Sequence, residues 1–384
     1  MIDYMLQEIR EQPQVLRNII KTMKDKIYEQ VSEFREKFQI KRILLTGCGD
    51  SLCASLTTEH AFTTHGIPSY ALPPMEFSRY KYKYPHYLDP HTLLIPISVS
   101  GRTPRVIEAI HAARSRNSPI LAITNNPESP VAQLSNAFLY TKSASLELIQ
   151  SSSYEGEVSS KYIGYEHDVP QTKSYTAVQL TLLLMALSFN LDPDYSLIES
   201  IPDSVRQIIE NSLIKELGIA HAQAPRYLYC ASGPNFGNAL FGEFKMYEFN
   251  LPGFGKDIEE YCHTAYFVTE SDTPVIFIAP PGESLDRTTE IVPVLKRIIN
   301  TDTIILSETQ PNFEYGHWIE IPYSGPEEFS TIPYGVVVPL FAYWSAKTRG
   351  RNVNTFRGGV EQEKYVSGSY HTIRQSKVKE HFEK

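Results

Sequence analysis

The feature that most limits what this chain can become is a repeat in the order of its apolar runs. Four landmarks recur at nearly one spacing. Gly47 has its counterpart at Gly233, 186 residues on. Gly101 is matched by Gly282 at 181, Thr124 by Ser307 at 183, and Ala137 by Trp318 at 181. Residues 42–46, 93–97, 120–123 and 137–140 form the first set of apolar runs, and 227–230, 275–279, 303–306 and 318–321 the second. Short apolar runs closed by small or turn-forming residues read as buried parallel strands. Helical periodicity follows many of them, so the class is α/β, with helices on both faces of a parallel sheet. The expected fold is two tandem doubly wound, flavodoxin-like domains related by internal duplication.

The predicted organisation follows from that repeat. Residues 1–39 read as a helical lead-in, with Val15, Ile19, Ile20, Met23, Ile27, Val31, Phe34 and Phe38 at three- and four-residue spacing. Pro13 is expected in its first turn. Residues 40–195 make the first domain and 222–350 the second, with helical periodicity over 173–191 and one or two more helices over 197–217. Residues 351–384 form a C-terminal tail.

Composition removes several classes. At 42% apolar and 21% charged residues the chain is not disordered. A net charge of −8 with no basic run argues against a nucleic-acid partner and leaves room only for a local basic pocket. The longest apolar candidate, 335–346, is too short to span a bilayer and contains Pro339. The opening residues, with Asp3, Glu8, Arg10 and Glu11, do not read as a signal peptide. Cys48, Cys53, Cys230 and Cys262 form no Cys-x-x-Cys pair and no metal-ligand spacing. They are expected to be reduced, in a cytoplasmic protein without metal or organic cofactor.

The most informative loop follows the run 93–97. Ser98, Ser100 and Thr103 surround Gly101, just before a helix. A helix N-terminus offers free N–H groups and the positive end of its dipole, the glycine lets the backbone approach, and the hydroxyls add donors. Gly49 and Ser51, on the neighbouring loop, can serve the same anion. A single Ser here would read as a helix cap; the group together reads as a phosphate cradle. Its counterpart in the second repeat, Ala279, Pro281 and Ser284, has lost two hydroxyls and an N–H donor. A dinucleotide site fits poorly, because Leu52 stands where the third glycine after Gly47 and Gly49 belongs.

These motifs resemble the sugar isomerase (SIS) family, and within it the isomerase half of glucosamine-6-phosphate synthase and the fructosamine-6-phosphate deglycases. Gly47-Cys48-Gly49-Asp50-Ser51 is similar to the family's first phosphosugar loop. Ser98-Val99-Ser100-Gly101-Arg102-Thr103 resembles its Ser-Gln-Ser-Gly-Glu-Thr motif, with Val99 and Arg102 as departures. Residues 169–176 resemble the segment that contacts the sugar, with Val169 and with Gln171 where Ser is common. The resemblance implies substrate binding by Gly49, Asp50, Ser51, Ser98, Val99, Ser100, Gly101, Thr103, Val169 and Gln171.

The family's catalytic glutamate falls on Glu248 and its ring-opening histidine on His263, after which Thr264-Ala265 replaces Gly-Pro. Read from spacing alone, Glu248 is a helix carboxylate paired with Lys245. The tail lysine of the family aligns with Glu361, and Lys364 takes its role only if the tail shifts. The implied function is an isomerase or deglycase acting on a 6-phosphosugar, an amino or amine-linked ketose. His263 assists ring opening and Glu248 transfers the proton. The alternative is a non-catalytic phosphosugar-binding regulator. No cysteine stands at position 2, so glutamine-dependent ammonia production is not expected. The family's habit also implies a homodimer with shared active sites and no membrane partner.

Overall fold

The alternation of strands and helices closes into two five-stranded sheets, each wholly parallel. A computed structural model describes residues 3–141, 143, 170–370, 373 and 375. The first sheet holds β1 (Arg42–Gly47), β2 (Ser69–Ala71), β3 (Thr92–Ile97), β4 (Leu121–Thr124) and β5 (Ala137–Tyr140), in the order β2-β1-β3-β4-β5. The second holds β6 (Tyr227–Cys230), β7 (Gly253–Lys256), β8 (Val275–Ile278), β9 (Thr303–Ser307) and β10 (His317–Glu320). Its order, β7-β6-β8-β9-β10, is that of the first sheet with five added to each number. In both, the chain leaves the first strand toward one edge and the third toward the other. Ligands of such sheets bind at the carboxyl ends of the two strands flanking that reversal.

The chain divides into two compact units. One comprises Val15–Asp168, Lys173–Tyr195 and Glu361–Lys384; the other comprises Met1–Gln14, Val169–Thr172 and Ser196–Val360. In the first, Leu44, Leu94, Ile120 and Ala122 of the sheet pack against Val106, Ala109 and Ile110 of α3 (Pro104–Arg114). The helix Lys173–Ser188 is buried along its whole length. It packs on α2 (Asp50–Thr64), where Gln179 Nε2 donates to Thr57 Oγ1 at 2.9 Å. In the second unit, Leu228, Val275, Phe277 and Ile305 meet Ile258, Tyr261, Val292 and Leu295. The apolar run around Pro339 is the helix Thr331–Thr348, buried on nearly every side among the helices Ile201–Glu210, Ser212–Ala220 and Phe236–Glu248. A helix apolar all round is here a central core element. Among the described residues, no helix is long and apolar enough to cross a membrane.

Helix α1 (Tyr4–Phe38) corrects two details of the sequence reading. Its buried stripe runs through Met5, Ile9, Leu16, Ile19, Met23, Ile27, Val31 and Phe34, so Leu16 rather than Val15 faces the core. Pro13 lies well inside the helix, not in its first turn. A proline there forfeits one backbone hydrogen bond, and its ring is buried. The region 197–217 forms three short helices, Ser196–Glu199, Ile201–Glu210 and Ser212–Ala220, because Pro202 and the Asn211 cap reset the chain.

Candidate functional site

In the unit built on β1–β5, the loops after β1 and β3 flank the reversal of the sheet. Gly49 caps α2 with φ 58° and ψ −128°, a conformation that side-chain-bearing residues rarely adopt. Asp50 and Ser51 follow in the first turn, both part-exposed. After β3 the loop is pinned by its backbone. Ser98 N donates to Ile123 O at 3.0 Å, Gly101 N to Ser98 O at 2.9 Å, Asn125 N to Val99 O at 3.0 Å, and Val131 N to Gly101 O at 3.1 Å. Gly101 has φ 67°, and a Cβ on it would collide with the Ser129 hydroxyl. Only glycine fits this position.

The hydroxyls of this loop do not spend themselves on capping. Thr103 is the N-cap of α3 yet makes no side-chain cap bond, and Pro104 follows it at the start of the helix. Its Oγ1 instead lies 2.9 Å from Ser98 Oγ. Ser100 Oγ accepts from Arg102 N at 3.3 Å. Ser98 is buried, whereas Ser100 and Thr103 stay part-exposed. The arrangement is a rigid, neutral donor set at a helix N-terminus, which suits a phosphate. Arg102 adds a cation to the same loop. Nearby Arg105 is engaged elsewhere, with Arg79, on the buried Glu108 carboxylate.

The other unit holds a second arrangement, at the last turn of the helix Phe236–Glu248. Lys245 is fully buried. Its Nζ lies 2.7 Å from Glu248 Oε2, donates to Gln171 O at 2.9 Å, and sits 4.9 Å from the Phe241 ring centroid. A buried ammonium is costly unless such partners compensate it. The pair is therefore not the exposed helix ion pair that spacing alone allows. Gln171 is itself anchored through its neighbour, since Thr172 N donates to Glu8 Oε2 at 2.9 Å. Two of the sequence-predicted residues, Gln171 and Glu248, are thus brought together through Lys245.

His263 ends the helix Ile258–His263 with 70% of its side chain exposed. Its Nε2 lies 3.1 Å from Glu259 Oε1, and Glu259 also receives Arg287 Nε at 2.8 Å. The Arg287 hydrogen bond holds the Glu259 carboxyl below its ordinary value. Within the chain, no interaction joins His263 to Glu248 among the described residues. Lys364 is 68% exposed and lies 3.6 Å from Glu361. Val169 lies outside the described residues.

Sequence reasoning missed the carboxylates at the carboxyl edge of the second sheet. Glu308 follows β9, Glu283 opens the helix Glu283–Val294 after β8, and Glu327 lies 3.8 Å from where a Cβ on Gly233 would sit. Burial, then the charge of Glu327, pushes Glu308 up to about 7. Burial, then Glu328 and Glu283, pushes Glu327 up to about 7. Where the first sheet presents hydroxyls, the second presents acids, which repel an anion. The signal was available in Glu283 and Glu308, four and two residues after predicted strand ends. It also missed the role of Glu8, a carboxylate on the apolar stripe of α1 between Met5 and Ile9. Among the described residues no group of three or more His, Cys, Asp or Glu side chains could hold a metal ion.

Residues 38–154 match the SIS domain model. The glutamine–fructose-6-phosphate aminotransferase (isomerizing) of Pyrococcus horikoshii is 29% identical over 367 residues, covering 91% of this chain and 55% of the relative. The chain thus spans a little over half the length of the curated relatives it matches. Among solved structures, the tagatose-6-phosphate ketose/aldose isomerase of Escherichia coli superposes with a TM-score of 0.72 at 20% identity, covering 92% of this chain and 94% of that one. The C-terminal domain of a glucosamine-fructose-6-phosphate aminotransferase from Francisella tularensis gives 0.70 at 19% identity, covering 92% and 98%. These structural likenesses establish the fold.

Proposed function

We propose that this chain, which carries a SIS domain and resembles the isomerase half of glucosamine-6-phosphate synthase, is a sugar-phosphate isomerase or deglycase. Its substrate is a 6-phosphosugar, an amino or amine-linked ketose. The observation that carries this reading is the loop at 98–103, where Thr103 leaves its helix uncapped and turns its hydroxyl to Ser98. Phosphate held there fixes the sugar, and binding energy remote from the reacting carbons lowers the barrier. Gly49, Asp50, Ser51, Val99, Ser100, Gly101, Val169 and Gln171 complete the substrate contacts in this reading.

Glu248 is the proposed base. It takes a proton from the carbon beside the carbonyl and returns it to the neighbouring carbon, while Lys245 holds its carboxylate in place. His263 is the proposed ring-opening group, accepting the hydroxyl proton and donating to the ring oxygen. Lys364 is a candidate third group. In the deglycase form the same proton transfer gives an imine, which water hydrolyses to a sugar phosphate and a free amine. Val99, Gln171 and Thr264 depart from the family pattern, which favours a substrate other than plain fructose 6-phosphate. No glutamine hydrolysis, metal or organic cofactor is assigned to these residues.

The reading extends to organisation. The shared strand order supports residues 40–195 and 222–350 as duplicated copies of one domain, with 1–39 as lead-in and 351–384 as tail. In this reading the protein is cytoplasmic, and the exposure of the His263 side chain supports a homodimer in which each chain lends its histidine to the partner's site. Sedimentation of a fully active monomer would overturn that assembly.

The decisive experiment is incubation in heavy water with 6-phosphosugars and Amadori-type sugar phosphates. Deuterium should enter at the carbon beside the carbonyl for at least one of them. Glu248→Gln should abolish that exchange and spare binding. The exposure of Lys364 and its pairing with Glu361 favour a second reading, a phosphosugar-binding regulator. Tight binding with no exchange for any substrate would establish that reading in place of the enzyme.

A further inference from the structure

A cavity of about 420 Å³ lies against β1 and β2 of the first sheet, at the end opposite the hydroxyl loops. In the parallel register Leu44 stands beside Tyr70, and two-residue alternation puts Arg42, Leu44 and Tyr70 on one face. Leu44 and Leu72 line it with apolar surface, and Tyr70 and Tyr87 line it with aromatic rings. Lys41, Arg42 and Lys81 bring positive charge to it. Lys41, Arg42 and Pro68 precede or open β1 and β2, whereas Gly49, Ser51 and the 98–103 loop follow the carboxyl ends of β1 and β3. The cavity is therefore not part of the phosphate cradle. Its volume falls within the range of small-molecule sites.

The charges around it are not balanced. Arg42 is held by Asp89 at 3.1 Å and by the His86 carbonyl. Lys81 lies 3.7 Å from Glu76 and 5.2 Å from the Tyr87 ring centroid. Lys41 is exposed and has no ion pair among the described residues. Three cations thus face two carboxylates, in a chain whose net charge is −8. Apolar lining selects a ligand with an apolar body, aromatic lining selects a flat ring, and the surplus cation selects negative charge.

We propose that this cavity binds an organic anion carrying a flat aromatic ring, of the nucleoside monophosphate class, separately from the phosphosugar loop. The test titrates adenosine monophosphate, adenosine and ribose 5-phosphate calorimetrically into protein carrying Ser100→Ala and Thr103→Ala, which silences the other anion site. Adenosine monophosphate should bind saturably, and each half-ligand at least about tenfold more weakly. Adding Lys41→Glu, or separately Tyr70→Ala, at two exposed positions, should weaken it by about tenfold or more. Three outcomes would overturn the proposal. One is no saturable binding of adenosine monophosphate. Another is binding indifferent to both substitutions. The third is ribose 5-phosphate binding as tightly as the nucleotide, which would leave the aromatic lining unused.

Discussion

Lys245 places its ammonium 2.7 Å from the Glu248 carboxylate, with the lysine side chain wholly buried and the glutamate side chain 19% exposed. The asymmetry matters more than the distance. The lysine depends on its partners because water cannot reach it, whereas the glutamate retains some access to solvent.

From that asymmetry follows an order of stabilities. Glu248→Ala takes from a buried ammonium its carboxylate partner at 2.7 Å, and should cost about 3 kcal/mol. Lys245→Met fills the same space without charge and frees a carboxylate that can hydrate, so it should cost about half as much. Urea unfolding of the two variants measures the order. If Lys245→Met proved the more damaging, the buried ammonium would not be what makes this pair critical.

Thr103→Val tests the cradle. The substitution keeps the shape of the side chain and removes the hydroxyl that faces Ser98. Affinity for inorganic phosphate should fall about tenfold, the worth of one hydrogen bond to a charged group. Calorimetric titration of phosphate gives the number, and unchanged affinity would return Thr103 to a structural role.

Stability should also carry a pH signature from the acidic edge of the second sheet. Glu308 and Glu327 are half-buried and pushed up to about 7 from the ordinary glutamate value of 4.5. The folded protein thus holds these protons to a higher pH than the unfolded chain does. Their contribution is full below about 4.5 and is lost as pH rises through about 7. Glu327→Gln removes one of these acids and relieves the other. The variant should gain on the parent by about 1 kcal/mol at pH 8, after allowance for solvent at half-exposed groups, with little difference at pH 4. Urea midpoints at the two pH values decide it; a variant less stable at pH 8 would contradict the assignment.

How much of this was legible in the sequence depended on what each element asks of its residues. Eight of the ten strands showed as apolar runs because a sheet buried on both faces demands them. The two that did not are the strands next to β1 and β6, away from the centre of each sheet. β2 is three residues long, Ser69 to Ala71, with Pro68 before it and Pro73 after. β7 reads Gly-Phe-Gly-Lys, which strand propensity disfavours. Its glycines are forced by the helix Phe236–Glu248 pressed against it. A Cβ on Gly253 would come within 2.7 Å of Met246 Cβ, and one on Gly255 within 2.6 Å of Ala239 O. The hydroxyl loop was visible because its residues are contiguous. The Gln171 carbonyl on Lys245 was not, because a long-range contact through a backbone atom leaves no trace in residue type.

Two glycines in equivalent strand-to-helix loops should respond differently to the same substitution. Gly49 and Gly101 both have positive φ, 58° and 67°. Around Gly49 a Cβ would meet nothing within 4 Å, so Gly49→Ala incurs only the backbone cost, about 1–3 kcal/mol. At Gly101 the methyl would also strike Ser129 Oγ and come within 2.9 Å of Thr124 Oγ1. Ser129 cannot yield freely, because its hydroxyl donates to Asn126 O at 2.6 Å and accepts from Ala132 N at 3.3 Å. The loop must move instead, taking Ser98 and Thr103 out of register. Gly101→Ala should therefore destabilise more than Gly49→Ala by about 1–2 kcal/mol, and it should weaken phosphate binding the more of the two at temperatures where both variants remain folded. Thermal unfolding and phosphate titration on the two proteins measure the two effects separately. Equal losses at both positions would mean that the pinning of the loop against Ser129 does not set the geometry of the cradle.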